Sequence, residues 1–395
     1  MRPVHLFRKL SFMNKNITLA HPAAWLMALL AVVASVYSSR AQSWTPSSAP
    51  SRTWYGIAGS AAGDRLVAVA SGTGIYLSAN SGGTWTLSSA PAKNWRAVAT
   101  SANGSNLLAV ASFGGVYTST NAGTTWISNS VAANHDWSTA ASSGDGTKLA
   151  VGGTTFGNIY TSTNAGASWV SNSPPSGYWT SVVSSADGTR LAAAWSGVIY
   201  NSTNSSTNWT SHTPPAGGTS LAISADGTLL VMPYSPAAVY CSTNWGTTWA
   251  QRSVPNGGTG NGAALSANGS RLAAFGKLYT TTNGGVTWTA DNAAGMNWTA
   301  VTLSADGGKA AIAVNGGGIY TYYAAPTPQV NFSRASNQIT CAWLIPSTNF
   351  VLQQSADLIS WSSVTNTPAL NSSNLNNTLT FSPTNTSGFY RLATP

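Results

Sequence analysis

The amino-acid sequence predicts an all-β protein in which a seven-bladed β-propeller is followed by a small β-sandwich. A polar phrase ending in tryptophan recurs six times, with its tryptophans 41, 43, 40, 40 and 39 residues apart. A turn and a tyrosine each recur seven times at the same period. Four short strands in each repeat of about 40 residues are typical of a propeller blade.

Each repeat contains four strand-like runs separated by turn residues. In the second repeat the runs are 95–101, 106–112, 116–119 and 125–128, and the turns between them contain Asn-Gly, Gly-Gly and Asn-Ala-Gly in that order. Such dipeptides close tight hairpins. The tyrosine of the third run is Tyr76, Tyr117, Tyr160, Tyr200, Tyr240, Tyr279 and Tyr320. The seven tyrosines predict seven blades.

The tryptophan phrase is missing from the seventh repeat. Its six copies end at Trp85, Trp126, Trp169, Trp209, Trp249 and Trp288. No copy follows Tyr320, but the segment 43–46 resembles a fourth strand, and its Trp44 lies ten residues before Trp54. We therefore predict a propeller over residues 42–323 in which 43–46 supplies the outer strand of the last blade. Such closure removes the open edge of the ring.

Residues 1–41 read as a secretory signal peptide. Basic residues precede the uncharged apolar run 23–36, and the small residues Ser39 and Ala41 predict cleavage before Gln42. The alternative is an uncleaved anchor helix, but a run of about 14 residues is short for a bilayer that needs about 20. We expect a secreted or cell-surface protein without a stable transmembrane anchor.

Cleavage would change the charge of the chain. The full sequence has 17 Lys and Arg against 8 Asp, a net charge of +9, and loss of five N-terminal cations leaves +4. This removes most of the support for a nucleic-acid partner. Cys241 and Cys341 lie 100 residues apart. We predict that they are two isolated buried thiols, with a disulfide between them as the alternative. We expect a monomer.

A linker at 324–328 contains two prolines and separates a final segment, 329–395, that has no repeat. Its strand-like runs alternate with Asn, Ser, Thr and Pro clusters and predict a β-sandwich. The runs around Phe350–Leu358, Trp361 and Gly388–Leu392 resemble the C-terminal modules of many large secreted bacterial proteins. That resemblance implies a role in attachment or sorting.

The phrase Ser-Thr-Asn-Ala-Gly-Thr-Thr-Trp, residues 119–126, resembles the Asp-box, or BNR repeat, of sialidase-like propellers. Asn replaces the family's Asp in all six copies. The resemblance implies a hairpin turn between the outer two strands of a blade, away from the ligand. An Asn side chain can accept a backbone N–H within its own turn, and Gly supplies positive φ. Both arguments predict a structural role for the phrase.

Catalytic residues are scarce. The resemblance to sialidases implies a tyrosine nucleophile assisted by Glu and an Asp acid/base, but the chain contains no Glu. Five of eight Asp lie in the repeated turn, which leaves Asp136, Asp291 and Asp357. His135 and His212 are too few for a histidine metal site. We predict no catalytic residue, no metal and no cofactor, with a degenerate sialidase-like glycoside hydrolase as the alternative.

Propeller ligands usually meet the face where outer strands lead into the next inner strands. Tryptophans at the starts of the inner strands would stack there on a sugar or grip a peptide, or else wedge between blades as core. Tyr55 and Arg96 depart from the repeat register beside them. The predicted ligand-binding residues are Trp54, Tyr55, Trp95, Arg96, Trp137, Trp179 and Trp298.

The opposite face carries basic residues just after the inner turns. They would form a ring that attracts an anionic surface polymer, or a scatter of solvated cations. They are Arg65, Lys148, Arg190, Arg271 and Lys309. The repeats also resemble those of photosystem II assembly-factor-like propellers, which act as binding scaffolds. We therefore expect a secreted, non-catalytic propeller that binds a protein or a glycan.

Overall fold

The computed structural model describes most of the propeller and the strands of the C-terminal segment. In the propeller it covers 44–323 except 132–134, 156, 206–207, 216, 219, 235–237, 256–261, 275–276, 282 and 291–297. Beyond it, the described residues are 331–335, 338–344, 351–355, 360–364, 369–371, 376–381 and 389–393. The predicted signal peptide and linker lie outside these residues. The described part of the chain contains no helix that is long and apolar enough to cross a membrane.

Seven four-stranded antiparallel sheets form the blades, and in blades 1 to 6 the sheet order follows the chain order. Blade 1 contains Trp54–Gly59, Leu66–Ala70, Ile75–Ser78 and Thr86–Leu87. Blade 2 contains Trp95–Thr100, Leu107–Ala111, Gly115–Ser119 and Ile127–Asn129. Blade 3 contains Trp137–Ser142, Leu149–Gly153, Gly157–Ser162 and Val170–Gly177.

The remaining blades repeat this plan. Blade 4 contains Ser181–Ser184, Leu191–Trp195, Val198–Ser202 and Thr210–His212. Blade 5 contains Ala222–Ile223, Leu230–Tyr234, Ala238–Ser242 and Ala250–Ser253. Blade 6 contains Ala264–Leu265, Arg271–Ala274, Lys277–Thr280 and Thr289–Ala290. Blade 7 contains Ala300–Leu303, Lys309–Ala313, Ile319–Tyr323 and the N-terminal strand Thr45–Pro46.

The N-terminal strand closes the ring. Thr45 pairs with Thr321 and Pro46 with Tyr320 in antiparallel register, so the first described strand becomes the outer strand of the last blade. Trp44 is buried beside this strand, with its ring centroid 5.9 Å from Trp298. A seven-bladed all-β propeller is therefore confirmed, and it is closed by the chain end that carries Trp44.

The core lies between neighbouring blades. Second strands such as Leu66–Ala70 are buried along their whole length, because each is covered on both sides by an adjacent blade. One cluster joins Val67 and Val69 of blade 1 to Trp95 and Ala109 of blade 2. Outer strands such as Ile127–Asn129 are mostly exposed.

The inner turns form a closed ring of backbone hydrogen bonds. The amide of Ala61 donates to the carbonyl of Ala102 at 2.8 Å, and each inner turn donates in the same way to the next one. The seven donors are Ala61, Ala102, Gly144, Ala186, Ala225, Ala267 and Ala305, and the last donates to Ala61. Small residues occupy this position because the turns of seven blades converge there.

The C-terminal segment contains two sheets. The four-stranded sheet has the order Asn331–Ala335, Gln338–Leu344, Asn376–Phe381 and Ala369–Asn371. The three-stranded sheet has the order Ser362–Ser363, Val351–Ser355 and Phe389–Ala393. Packing of the two sheets as a sandwich stays a prediction.

Both cysteines are free and buried, as the sequence predicts. Burial raises the pKa of the Cys241 thiol to about 11 and that of Cys341 to about 12. Because the thiolate is the reactive form, both side chains are inert near neutral pH.

Candidate ligand-binding face

The two ends of the propeller differ in which turns they carry. The end where the inner strands begin, here called the top face, holds the turns between second and third strands and the loops from one blade to the next. The bottom face holds the inner turns and the tryptophan phrases. The strand register shows this in blade 1, where Trp54 pairs with Ala70 at the top and Gly59 with Leu66 at the bottom.

The phrase on the bottom face is a self-contained turn. Ser119 donates to the Oδ1 of Asn121 at 2.9 Å, and the same oxygen accepts the amide of Thr125. The indole of Trp126 donates to the carbonyl of Gly123 at 3.1 Å. These bonds use the polar groups of the phrase within the turn itself, which is the structural role that the sequence predicts.

The inner-turn aspartates are likewise engaged locally. Ser185 donates to Asp187, which also accepts the amide and hydroxyl of Thr189 at 3.0 and 2.8 Å. Burial raises the pKa of this carboxyl, but the bonds from Ser185 and Thr189 outweigh it, so its pKa is lowered. The pKa of Asp145 and that of Asp226 are lowered by the same balance.

The basic residues of the bottom face bridge neighbouring blades. Lys148 donates to the carbonyl of Asp187 at 2.9 Å, and Arg190 donates to that of Gly227 at 3.3 Å. Five cations of this face stand against five carboxylates, Asp64, Asp145, Asp187, Asp226 and Asp306. This balance favours the alternative of scattered cations over a positively charged ring for an anionic polymer.

The tryptophans predicted to ring the ligand face are core residues. Trp54, Trp95 and Trp179 are 0% exposed, and Trp137 and Trp298 are 1% exposed. Four of the five rings pack against a third-strand tyrosine, with centroids 5.2 Å apart for Trp54 and Tyr76, and the ring of Trp298 packs against Trp44. Since a stacking platform must present a ring face to solvent, the structure corrects this part of the predicted site. The alternative, wedging between blades, describes these residues.

Tyr55 and Arg96 lie at β-bulges in the first strands of blades 1 and 2. Trp54 pairs with Ala70 and Gly56 with Val69, so Tyr55 has no partner residue in the ladder. The register shifts in the same way across Arg96 in blade 2 and across Ser138 in blade 3. A bulge of this kind re-aims one side chain and is frequent beside binding sites.

Small hydroxyl residues fill this position in other blades. Ser138 donates to the carbonyl of Trp179 at 2.9 Å, and Thr299 donates to that of Trp54 at 3.0 Å. Each hydroxyl therefore bridges its blade to the next. Tyr55 and Arg96 replace the hydroxyl with long side chains, and the repeat of a hydroxyl after the inner tryptophan is the sequence signal that reveals them as exceptions.

Tyr55 and Arg96 form a pair across the interface of blades 1 and 2. The guanidinium carbon of Arg96 lies 4.2 Å from the centroid of the Tyr55 ring, a cation–π contact. Tyr55 is 38% exposed and Arg96 is partly buried. The structure thus brings together two of the seven predicted site residues at the surface.

Other basic groups lie on the same side of these blades. Arg52 donates to the hydroxyl of Tyr76 at 3.2 Å, and the Lys93 ammonium lies 5.5 Å from the Tyr117 ring. Both precede an inner tryptophan by two residues, and this shared spacing is the sequence signal that identifies them. Asp136 is a carboxylate of this face, and it accepts the hydroxyl of Thr154 at 2.7 Å.

The described residues of this face offer few side chains that could bind a metal or act as an acid or base. Among the residues that the structure describes, no three His, Cys, Asp or Glu side chains are grouped as metal ligands. His135 packs against Trp137, with centroids 5.0 Å apart. Asp291 and Asp357, which the sequence leaves as carboxylates outside the turns, lie outside the described residues.

Comparison with known proteins finds structural similarity alone. No family model matches the chain, and no curated protein matches it. YCF48 bound to D1 peptide matches with a TM-score of 0.57 at 15% identity, over 73% of this chain and 98% of that one. A chain of a mitotic checkpoint complex matches with a TM-score of 0.57 at 14% identity, over 77% of this chain and 99% of that one.

An ancestral GH74 enzyme is also similar, with a TM-score of 0.54 at 15% identity. The match covers 76% of this chain but only 53% of the enzyme. At these identities the similarities show the propeller fold.

Proposed function

We propose that this protein is a non-catalytic β-propeller that binds a protein or peptide at the top face of blades 1 and 2. The Tyr55–Arg96 pair is the observation that carries the proposal. Tyr and Arg are enriched among the residues that dominate the energy of protein interfaces. Here they replace bridging hydroxyls and project from two adjacent bulges on a closed, rigid ring.

The similar folds support a binding role. YCF48 is described with a bound D1 peptide, and another similar chain belongs to a multiprotein complex. The Asp-box resemblance is compatible with this role, because the tryptophan phrases form hydrogen-bonded turns on the bottom face, away from the Tyr55–Arg96 pair. Export with cleavage before Gln42, and attachment or sorting through residues 329–395, complete the proposal, with a glycan as the alternative ligand.

The binding site is tested by restoring the hydroxyls of the other blades. Peptides are selected on the wild-type protein by display, and their affinity is then measured for the double variant Tyr55→Ser, Arg96→Thr. We expect affinity to fall about tenfold or more, since residues of this kind each contribute above 1 kcal/mol. Tyr178→Ser is the matched control, because Tyr178 is 50% exposed and precedes the inner tryptophan of blade 4. Equal binding by the double variant would overturn the assignment.

The enzyme alternative has its own test. A screen for hydrolysis of glycosides should give no turnover, and a glycan array reports the alternative ligand class. Glycosidases usually need two carboxyl groups beside the bond. Turnover that is abolished by Asp136→Asn or Asp291→Asn would contradict a purely binding role. Mass measurement of the exported protein tests the cleavage site before Gln42.

A further inference from the structure

A cleft opens on the bottom face between blades 1 and 2. It encloses about 270 Å³, enough for a side chain or a small ligand. Leu66, Leu77 and Leu107 contribute apolar walls, and Arg65 lies at the cleft with an exposed side chain. The stem of Arg65 lies over the next inner turn, since a Cβ placed on Gly104 would be 2.7 Å from its Cδ. Among the described residues, no aromatic side chain lines this cleft.

The equivalent cleft between blades 7 and 1 is filled by the chain itself. Its corresponding cation is Lys309, whose stem lies over Gly63 as that of Arg65 lies over Gly104. The Tyr323 ring lies 5.8 Å from the Lys309 ammonium, and its hydroxyl donates to the carbonyl of Ser81 at 3.0 Å. Only about 10 Å³ remains open there.

A second inter-blade contact shows the same arrangement. Between blades 4 and 5 the cation is Arg190, and its guanidinium carbon lies 5.4 Å from the ring of Trp245. A Cβ placed on Gly227 would be 2.6 Å from the Cδ of Arg190, so this cation also lies over the next turn. In both places an aromatic side chain covers the cation.

Sequence differences explain why the cleft of blades 1 and 2 is open. The residue equivalent to Tyr323 is Ala79, and the residue equivalent to Trp245 is Ala122. Ala122 has a φ of 57°, close to the 58° of Trp245, so the backbone has the same local conformation. The chain therefore keeps the cation and the cleft while both positions that supply an aromatic elsewhere are alanine.

We propose that this cleft binds an aromatic side chain of a partner polypeptide, which stacks on Arg65 and packs against the three leucines. The ligand ring would take the place that Tyr323 takes between blades 7 and 1 and that Trp245 takes between blades 4 and 5. A cation over an aromatic face and burial of the ring both favour such binding. The site lies on the opposite face from the Tyr55–Arg96 pair and is independent of the function proposed above.

A polypeptide partner is favoured by the strand beside the cleft. Thr86 lines the cleft and belongs to the outer strand Thr86–Leu87, which is a free sheet edge of two residues. Leu87 on this strand is 62% exposed. An extended peptide can pair with such an edge while one of its side chains enters the neighbouring pocket.

The test uses the purified protein and N-acetyl-L-tryptophanamide, observed by saturation-transfer NMR and by calorimetry. Wild type should bind the probe at one site, with N-acetyl-L-leucinamide at least about tenfold weaker because it lacks the cation–π contact. Ala79→Tyr, which copies Tyr323, should weaken binding at least about tenfold by filling the cleft. Ala122→Trp, which copies Trp245, is a second variant with the same expected result.

The reciprocal variant should create a site. Tyr323→Ala opens the cleft above Lys309, and the probe stoichiometry should rise from one to two. Absence of binding to wild type, or unchanged binding by folded Ala79→Tyr and Ala122→Trp, would overturn the proposal. Binding of free indole without binding of the capped tryptophan would contradict a polypeptide partner.

Discussion

On the bottom face, the polar groups of the inner turns and tryptophan phrases form hydrogen bonds within each turn or to the next blade. On the top face of blades 1 and 2, the side chains at the two first-strand bulges project outward instead. Ser185 and Asp187 represent the first arrangement, and Tyr55 and Arg96 the second. The repeat is thus most regular where it holds the ring together. Departures from it, rather than the repeated residues, indicate where a ligand binds.

The largest expected effect separates two adjacent residues of one strand. Trp95→Ala should lower the free energy of unfolding by about 3–5 kcal/mol, because it empties a fully buried site between blades. Arg96→Thr should change it by less than about 1 kcal/mol, as at most surface positions. Urea unfolding followed by fluorescence measures both. A larger cost for Arg96→Thr would break the division between core and ligand residues.

The next effect concerns the serine of an inner turn. Ser185 is fully buried, donates to Asp187 and accepts the amide of Arg190 at 3.1 Å. Ser185→Ala leaves that amide without its acceptor, so we expect a loss of about 1–3 kcal/mol in chemical unfolding. Ser138→Ala on the top face removes one bond and should cost about 0.5–1.5 kcal/mol. The reverse order would contradict the greater structural role of the bottom face.

A smaller effect is expected in the tryptophan phrase. Asn121→Ala removes the acceptor for Ser119 and Thr125 and should cost about 1 kcal/mol, measured by thermal unfolding. Asn121→Asp, which restores the Asp of the Asp-box, keeps both acceptor contacts, so its melting temperature should lie closer to that of the wild type. Loss of peptide binding in either folded variant would show that the phrase contributes to the ligand site.

The smallest effect is the acid dependence of the inner turns. Because hydrogen bonds lower the pKa of Asp187 in the folded protein, its contribution to stability is present above an unfolded pKa of about 3.9. That contribution is lost as pH falls through the lower folded pKa. Asp187→Asn should therefore flatten the decline of melting temperature below about pH 4.

Blade 2 offers the matched control, because Asn103 already occupies the aspartate position and accepts the hydroxyl of Ser101 at 2.7 Å. Asn103→Asp should steepen the same decline. A decline that neither substitution changes would mean that the turn carboxylates have the same pKa in folded and unfolded chains.

Much of the fold could be predicted from local sequence. Alternating apolar residues, Asn-Gly and Gly-Gly turns and the third-strand tyrosines indicate four strands per repeat and seven repeats. The pairing of the N-terminal strand next to Trp44 with the last blade could be predicted as well, because the seventh repeat lacks a tryptophan phrase. These inferences depend on short-range rules for turns and strands, which hold in any surroundings.

The candidate site could be predicted only in part. Tyr55 and Arg96 stand out beside their tryptophans, but the sequence does not distinguish a buried Trp54 from an exposed one. Burial is decided by the adjacent blade, whose covering residues lie about 40 positions away in each repeat. The bulges at Tyr55, Arg96 and Ser138 were missed because a bulge is defined by the register of two strands.

The amino-acid sequence by itself determines the blade count, the turns and the tryptophan phrase, since each depends on residues close together in the chain. The tertiary structure decides which tryptophans are core, which cations are covered by aromatic rings and which cleft stays open. Lys309 and Ser81 are 228 residues apart, yet their side chains bond at 3.0 Å. Ring closure creates that contact. The cleft between blades 1 and 2 stays open because the tryptophan phrase Ser119–Trp126 has Ala122 where the phrase of blade 5 has Trp245.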